Sequence, residues 1–198
     1  MPDRPASCII HYFRCLKFVN SYQLPMQAVN LRSFKQKVRH NKKKFKSFLT
    51  KLEKNPPRGL DKMTAAVEPE VWKEVDCLTC ANCCKTMTPT YTKADIKRIS
   101  AHLGMTQQEF MDKWLMYEKR DKDWQNKKQP CQFLNLADNK CSIYEVRPAD
   151  CAGFPHLPRR RMVDYMHVHK QNIEYCPATY KMVEKMQGLM GKEGKIQK

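Results

Sequence analysis

The chain has 198 residues, 41% apolar and 29% charged, with six glycines, ten cysteines and a net charge of +17. That composition excludes an intrinsically disordered chain, and no run approaches the roughly 18 consecutive apolar residues of a membrane span. Residues 1–76 hold 16 Lys/Arg against 7 Asp/Glu, a net of +9; thiolate ligands further on would offset the rest, so the lasting basic excess belongs to this first third.

Residues 1–25 read as an extension, with Met26 as the expected natural start and Cys8 and Cys15 as incidental. Cys8-Ile9-Ile10-His11-Tyr12-Phe13-Arg14 is too short and too interrupted for a signal core, so the expected compartment is cytoplasmic. Residues 26–59 form a second unit, a basic amphipathic helix. Leu31, Phe34, Val38, Phe45, Phe48 and Leu52 recur at helical steps over residues 28–54. Arg32, Lys35, Lys37, Arg39, Lys42, Lys43, Lys44, Lys46 and Lys51 occupy the other faces. Asn55-Pro56-Pro57 and Gly59 end the helix. Its stripe packs on the domain with its cations in water, or its basic face meets nucleic acid or an acidic partner; the first reading is preferred.

Residues 60–190 form the cysteine-rich domain, followed by a tail over 191–198. Thr92 with Asp95 and Thr106 with Glu109 are capping-box pairs that open two helices. Ile96, Ile99 and Leu103 give the first its buried face, and Gly104 its stop. Phe110, Trp114 and Leu115 serve the second. Residues 118–130 read as a polar loop. Phe133 to Leu136 and Cys141 to Tyr144 flank Ala137-Asp138-Asn139-Lys140 as a short hairpin or knuckle. A last helix starts at Pro177 and runs to about Leu189. Arg159-Arg160-Arg161 reads as a solvated loop.

Eight cysteines lie between Cys77 and Cys176. The first group, Cys77-x2-Cys80-x2-Cys83-Cys84, has the two-residue spacers that let sulfurs converge from one turning loop. Three cysteines at that spacing with a remote Cys-Pro also hold iron–sulfur clusters, and Cys176-Pro177 is a candidate for that remote position. Neighbouring side chains usually point in different directions, so Cys83 and Cys84 are expected to serve two sites, or one of them is a bridging, redox-active or resolving thiol. The second group is Cys131, Cys141, Cys151 and Cys176. Eight cysteines suffice for two four-sulfur sites or for one site plus redox thiols. In a reducing compartment metal is preferred to disulfides. His156, His167 and His169 are secondary ligand candidates, with His167 and His169 projecting to one side of a strand.

Cys77-x2-Cys80-x2-Cys83-Cys84, then Cys131, then Cys141-Ser142-Ile143-Tyr144-Glu145-x-Arg147-Pro148-x2-Cys151 and Phe154-Pro155, resemble the YkgJ-like cysteine-cluster family over roughly residues 70–180. The resemblance implies a domain that chelates zinc or iron through these cysteines. It departs at Ala152, where the family commonly has Arg. Related domains occur in flagellin lysine methylases, but no Gly-rich nucleotide loop supports methyl transfer here.

The expectation is therefore a mostly helical α+β domain with short strands or knuckles at the metal and helices outside. Its metal ligands are Cys77, Cys80, Cys83, Cys84, Cys131, Cys141, Cys151 and Cys176, holding an iron–sulfur cluster or zinc, with a lean to iron–sulfur. Tyr144 and Arg147 support the site: Tyr144 limits water, and Arg147 donates toward sulfur or carbonyls or else pairs with Glu145 or Asp150. No general acid, base or nucleophile constellation stands out, so no catalytic residue is named and enzymatic activity stays open. The alternative function is a zinc-stabilised binding module that uses the basic helix.

Overall fold

The computed structural model describes residues 28–157 and 161–196. The readings made on residues 1–25 and Met26, and on Arg159 and Arg160, lie outside the described residues. The first helix, α1, spans Leu31–Lys54, and the Asn30 side chain caps it by accepting the Ser33 N–H at 2.9 Å. Phe34, Val38, Phe45 and Leu52 are buried as expected, joined by Leu49. Phe48 is only partly buried. Gly59, in the left-handed region at φ 80°, turns the chain into α2, Leu60–Trp72. Buried Leu60, Thr64, Val67 and Val71 give α2 a helical stripe, but Pro69 within it hides the pattern from a sequence reading.

Two short helices carry the first cysteines, α3 (Cys77–Cys80) and α4 (Asn82–Thr86). After strand β1 (Thr90–Tyr91) come α5 (Lys93–His102) and α6 (Gln107–Trp114). Both expected capping boxes are formed, Thr92 with Asp95 and Thr106 with Glu109. Gly104, at φ 64°, closes α5 in a Schellman arrangement: its N–H reaches the Ala101 carbonyl at 3.2 Å and the Met105 N–H reaches the Ser100 carbonyl at 2.9 Å. Leu103, expected in the buried face of α5, is exposed because it sits at the cap beyond the last turn.

Residues 118–130 are not a simple loop. Strands β2 (Leu115–Glu118) and β3 (Asp123–Asn126) pair antiparallel, and β1 joins β3 on its other edge to give the order β1-β3-β2. Their alternation is concealed because these strands are largely half-exposed and carry polar residues on that side, while Tyr117 and Trp124 pack edge to face at 5.3 Å. The expected knuckle is present as an isolated bridge between Leu134 and Cys141, closed by Asn135 N–H to the Lys140 carbonyl and Ser142 N–H to the Phe133 carbonyl, each 2.8 Å. Helix α7 (Ala149–Gly153) delivers Cys151, and α8 (Met166–Asn172) leads to α9 (Pro177–Ile196). His167 and His169 lie on α8 rather than on a strand, so their rings diverge: His167 is exposed and His169 is buried.

The protein is a mostly helical α+β fold with two apolar cores. One is helical and gathers Phe45, Leu49, Val71, Met166, Tyr180 and Met186 from α1, α2, α8 and α9. The other packs Tyr91, Ile96, Ile99, Phe110, Phe133 and Ile143 around the sheet, α5 and α6. Cys176 belongs to the first core, whereas Cys131 and Cys141 pack against the second. The cysteines therefore sit at the seam between them. No described helix is long and apolar enough to cross a membrane.

Candidate metal centre

Each cysteine is positioned by a different local device. Asp76 caps α3 by accepting the Leu78 N–H at 2.9 Å. Ala81 then takes the left-handed conformation at φ 45°, which reverses the chain so that α4 brings Cys83 and Cys84 back toward Cys77 and Cys80. Against the expectation that these neighbours point in different directions, the sulfurs of Cys83 and Cys84 are in contact, 3.9 Å apart, because the short helix α4 turns both toward the same side. The Cys131 N–H donates to the Cys84 carbonyl at 2.8 Å, so the second cysteine group is tied by backbone to the first.

Cys151 is held in place from α5. The Asp95 carboxylate accepts from the Thr92 N–H and hydroxyl at 3.0 and 2.7 Å, from Arg98 at 2.6 Å and from the Ala149 N–H at 3.0 Å. The same Arg98 nitrogen donates to the Arg147 carbonyl at 2.9 Å. A helix cap thus also clamps the segment that enters α7. Asp150 fixes the other side: it accepts the Thr90 N–H of β1 at 3.1 Å and meets His156 at 3.4 Å. Cys176 is brought in by the loop before α9, where the Asn82 side chain donates to the Tyr175 carbonyl at 2.6 Å. The Thr179 N–H points at the Cys176 sulfur, 3.5 Å away.

All eight cysteines are free thiols. Six of them, Cys77, Cys83, Cys84, Cys131, Cys141 and Cys151, line one cavity of about 330 Å³, which Trp72, Tyr91, Phe133, Ile143 and Phe154 wall from the two cores. Cys80 and Cys176 are buried and do not line it. Among the described residues, no three His, Cys, Asp or Glu side chains close tightly enough on one point to hold a single metal ion.

Crowding makes these thiols hard to ionise in the metal-free protein. Burial pushes Cys80, Cys131, Cys141, Cys151 and Cys176 up, and for Cys84 the contact with Cys83 leads, followed by burial. Cys77 is an exposed residue at the cavity rim, and its thiol is raised by desolvation, then by the neighbouring Cys176 and Cys80. A cation displacing these protons would remove the mutual repulsion of the thiolates.

Tyr144 and Arg147 stand at the mouth. The Arg147 guanidinium lies 3.8 Å over the Tyr144 ring and donates to the Tyr144 carbonyl at 2.6 Å. Its charge also favours the Cys141 thiolate. Among the described residues Arg147 forms no ion pair with Glu145 or Asp150, whose carboxylate is engaged by His156 and Thr90. Ala152 lines the cavity. His156 approaches Asp150 rather than sulfur, and His169 lies buried with neither ring nitrogen hydrogen-bonded, its pKa lowered to about 4 by burial.

The structure also identifies residues that sequence reading missed. The Tyr91 hydroxyl donates to the Asn126 side-chain oxygen at 2.6 Å, and Gln132 donates to the same atom at 2.9 Å. The Asn126 amide nitrogen is buried and has no hydrogen-bond partner among the described residues. No spacing signal links residues 35 apart on different strands, and Asn126 falls within the stretch that reads as a polar loop.

Six free thiols open into one cavity that the Asp150 side chain also lines, and soft sulfur donors of this kind suit zinc and iron–sulfur centres alike. The chain belongs to the CxxCxxCC family, described as "Putative zinc- or iron-chelating domain", whose model matches residues 76–179. An uncharacterized protein of Methanocaldococcus jannaschii, MJ0661, is 32% identical over 84 residues, which are 40% of this chain and 43% of that protein. The alignment thus spans under half of that relative. No solved structure matches.

Proposed function

We propose that this protein holds an iron–sulfur centre through its clustered cysteines, Cys77, Cys80, Cys83, Cys84, Cys131, Cys141, Cys151 and Cys176, in a reducing cytoplasmic environment. The observation that carries this reading is the apolar cavity into which six free thiols open. At about 330 Å³ it is on the order of ten times the share of liquid volume of one water molecule, room for a polynuclear centre rather than a lone ion. The three-cysteine run with Cys176-Pro177 adds the donor pattern such centres use. Zinc is the competing metal for the same donors.

The cavity walls supply what an iron–sulfur centre needs besides ligands. Phe133, Ile143 and Phe154 exclude water, while the Thr179 N–H points at the Cys176 sulfur and the Arg147 charge favours the Cys141 thiolate. Such contacts raise the potential of a thiolate-bound centre. Protein purified without air should be brown, with visible absorption and acid-labile sulfide in proportion to iron. A colourless protein with stoichiometric zinc would replace iron–sulfur by zinc, and a protein retaining neither metal would end the proposal.

A second reading is supported by α1. Arg32, Lys35, Arg39, Lys43, Lys44 and Lys51 are exposed or half-exposed along it, and Glu53 is its single acidic residue. A rigid metal-held domain would present this face to nucleic acid or an acidic partner. Salt-sensitive binding of a duplex oligonucleotide, lost in Arg39→Glu/Lys43→Glu, would support it; no binding at low salt would remove nucleic acid from consideration.

A further inference from the structure

Resting on the chelation reading for the thiol-lined floor of the cavity, we propose that its mouth binds a small organic monoanion, a carboxylate on an apolar body, with the Arg147 guanidinium as the carboxylate's partner.

Among the described residues that line the cavity, Arg147 alone is cationic. The chain fixes it from both ends. Its carbonyl receives the Arg98 side chain at 2.9 Å, which ties its backbone to α5. Its guanidinium lies 3.8 Å over the Tyr144 ring, and Nη1 donates to the Tyr144 carbonyl at 2.6 Å. The residue is half-buried, yet neither nearby acid pairs with it among the described residues: Glu145 stays apart, and Asp150 turns to the Thr90 N–H and His156. A planar fork held in place with most of its donors uncommitted is the arrangement that receives a carboxylate through two parallel hydrogen bonds. Because the guanidinium is ordered before binding, little side-chain entropy is lost when the ligand arrives.

The walls describe the rest of the ligand. Trp72, Leu78, Tyr91, Phe133, Ile143 and Phe154 present aromatic and aliphatic surface. At the rim Leu78 is 53% and Tyr144 40% exposed, large side chains that a ligand's body would take out of water. Asn139 adds one polar contact. Its Nδ2 donates to the Thr79 carbonyl at 3.0 Å, while its Oδ1 is buried and has no partner among the described residues. A buried acceptor left open on a cavity wall suits a hydroxyl or amine on the ligand's body. The volume of about 330 Å³ lies at the lower end of the pockets, about 300–1,000 Å³, that take small organic molecules.

The charge on the ligand follows from the same wall. One guanidinium balances one negative charge. Asp150 is the single acidic residue lining the cavity among those described, and its carboxylate opposes a second negative charge on the ligand. A carboxylate is therefore favoured over a phosphate.

The test uses the full-length chain, metal-loaded and metal-free, with 4-hydroxyphenylacetate as the probe and its neutral amide and inorganic phosphate as comparisons. Isothermal titration calorimetry should show the carboxylate binding the metal-loaded protein about tenfold or more tightly than either comparison. Arg147→Gln should abolish that preference, and Arg147→Lys should keep part of it. The natural chain supplies a readout that needs no variant. Phenylglyoxal labelling of Arg147, read by peptide mass mapping, should fall when the carboxylate is present, while labelling of the exposed Arg32 and Arg39 on α1 does not. Equal binding of the acid and its amide, or equal labelling of Arg147 with and without the acid, overturns the inference and leaves chelation in place. A chain that takes up no metal but still protects Arg147 with the carboxylate overturns chelation alone.

Discussion

Asp95→Ala is the most informative single change outside the cysteines, because the same carboxylate caps α5 and holds the chain that delivers Cys151. Asp95 is 1% exposed and receives bonds from Thr92, Arg98 and the Ala149 N–H. Losing the cap interaction costs about 1 kcal/mol. Leaving the Ala149 N–H without a partner costs about 1–3 kcal/mol more. The total of about 2–4 kcal/mol corresponds to a fall of roughly 4–16 °C in melting temperature for a chain of this size. Thr106→Ala removes the equivalent cap of α6, which has no tertiary partner, and should cost only about 1 kcal/mol. Thermal melts of the metal-loaded proteins read the stability, and metal analysis reads the site. Asp95→Ala should also lower metal content, while Thr106→Ala leaves it unchanged. Equal melting temperatures and equal metal content in the two variants would refute the argument that a helix cap positions Cys151.

Other outcomes follow from the same structure. His169 is buried with its pKa lowered to about 4, below the ordinary 6.5, so the unfolded chain binds its proton first. Stability of the metal-free protein should fall as pH drops from 6.5 toward 4, by up to about 3 kcal/mol from this group. Urea unfolding across that range should be flatter in His169→Leu, and an unchanged slope would contradict the burial assignment. The cysteine thiols are raised above their ordinary 9.0 in the metal-free protein, so their contribution is present below that pH and lost as pH rises past it. Metal-free protein should therefore lose stability above about pH 9, whereas metal-loaded protein should not; urea midpoints at about pH 8 and pH 10 measure the difference. Ala81→Gly relieves a left-handed alanine at φ 45°, worth about 1 kcal/mol, and should raise the melting temperature slightly with metal retained. Lower stability in that variant would mean that the buried methyl packs better than it strains. Phe110→Ala opens a fully buried site stacked against Phe133 and should cost about 3–5 kcal/mol by urea unfolding.

Periodicity and capping carried most of the fold. The stripe of α1, the capping boxes of α5 and α6, the Gly104 stop, the knuckle at residues 137–140 and the start of α9 at Pro177 are all local signals, and each is found in place. Pro69 concealed α2, because a proline inside a helix mimics a boundary. The β2–β3 hairpin was concealed because half-exposed strands lack a strong apolar alternation, and the His167–His169 pair because a period of two is read as a strand when the surrounding helix is not seen. The candidate site was legible as a set of cysteines and illegible as a shape. Which sulfurs neighbour which depends on two cores meeting at a seam, and on bonds such as Asn82 to Tyr175 and Asp95 to Ala149 that span 93 and 54 residues.

X-ray absorption at the metal edge tests the central claim most directly, because it reads the ligand atoms without assuming which residues supply them. Protein purified without air should give a first shell of sulfur alone at about 2.3 Å, with a metal–metal distance beyond it if the centre is polynuclear. A first shell dominated by nitrogen or oxygen would contradict chelation by these cysteines.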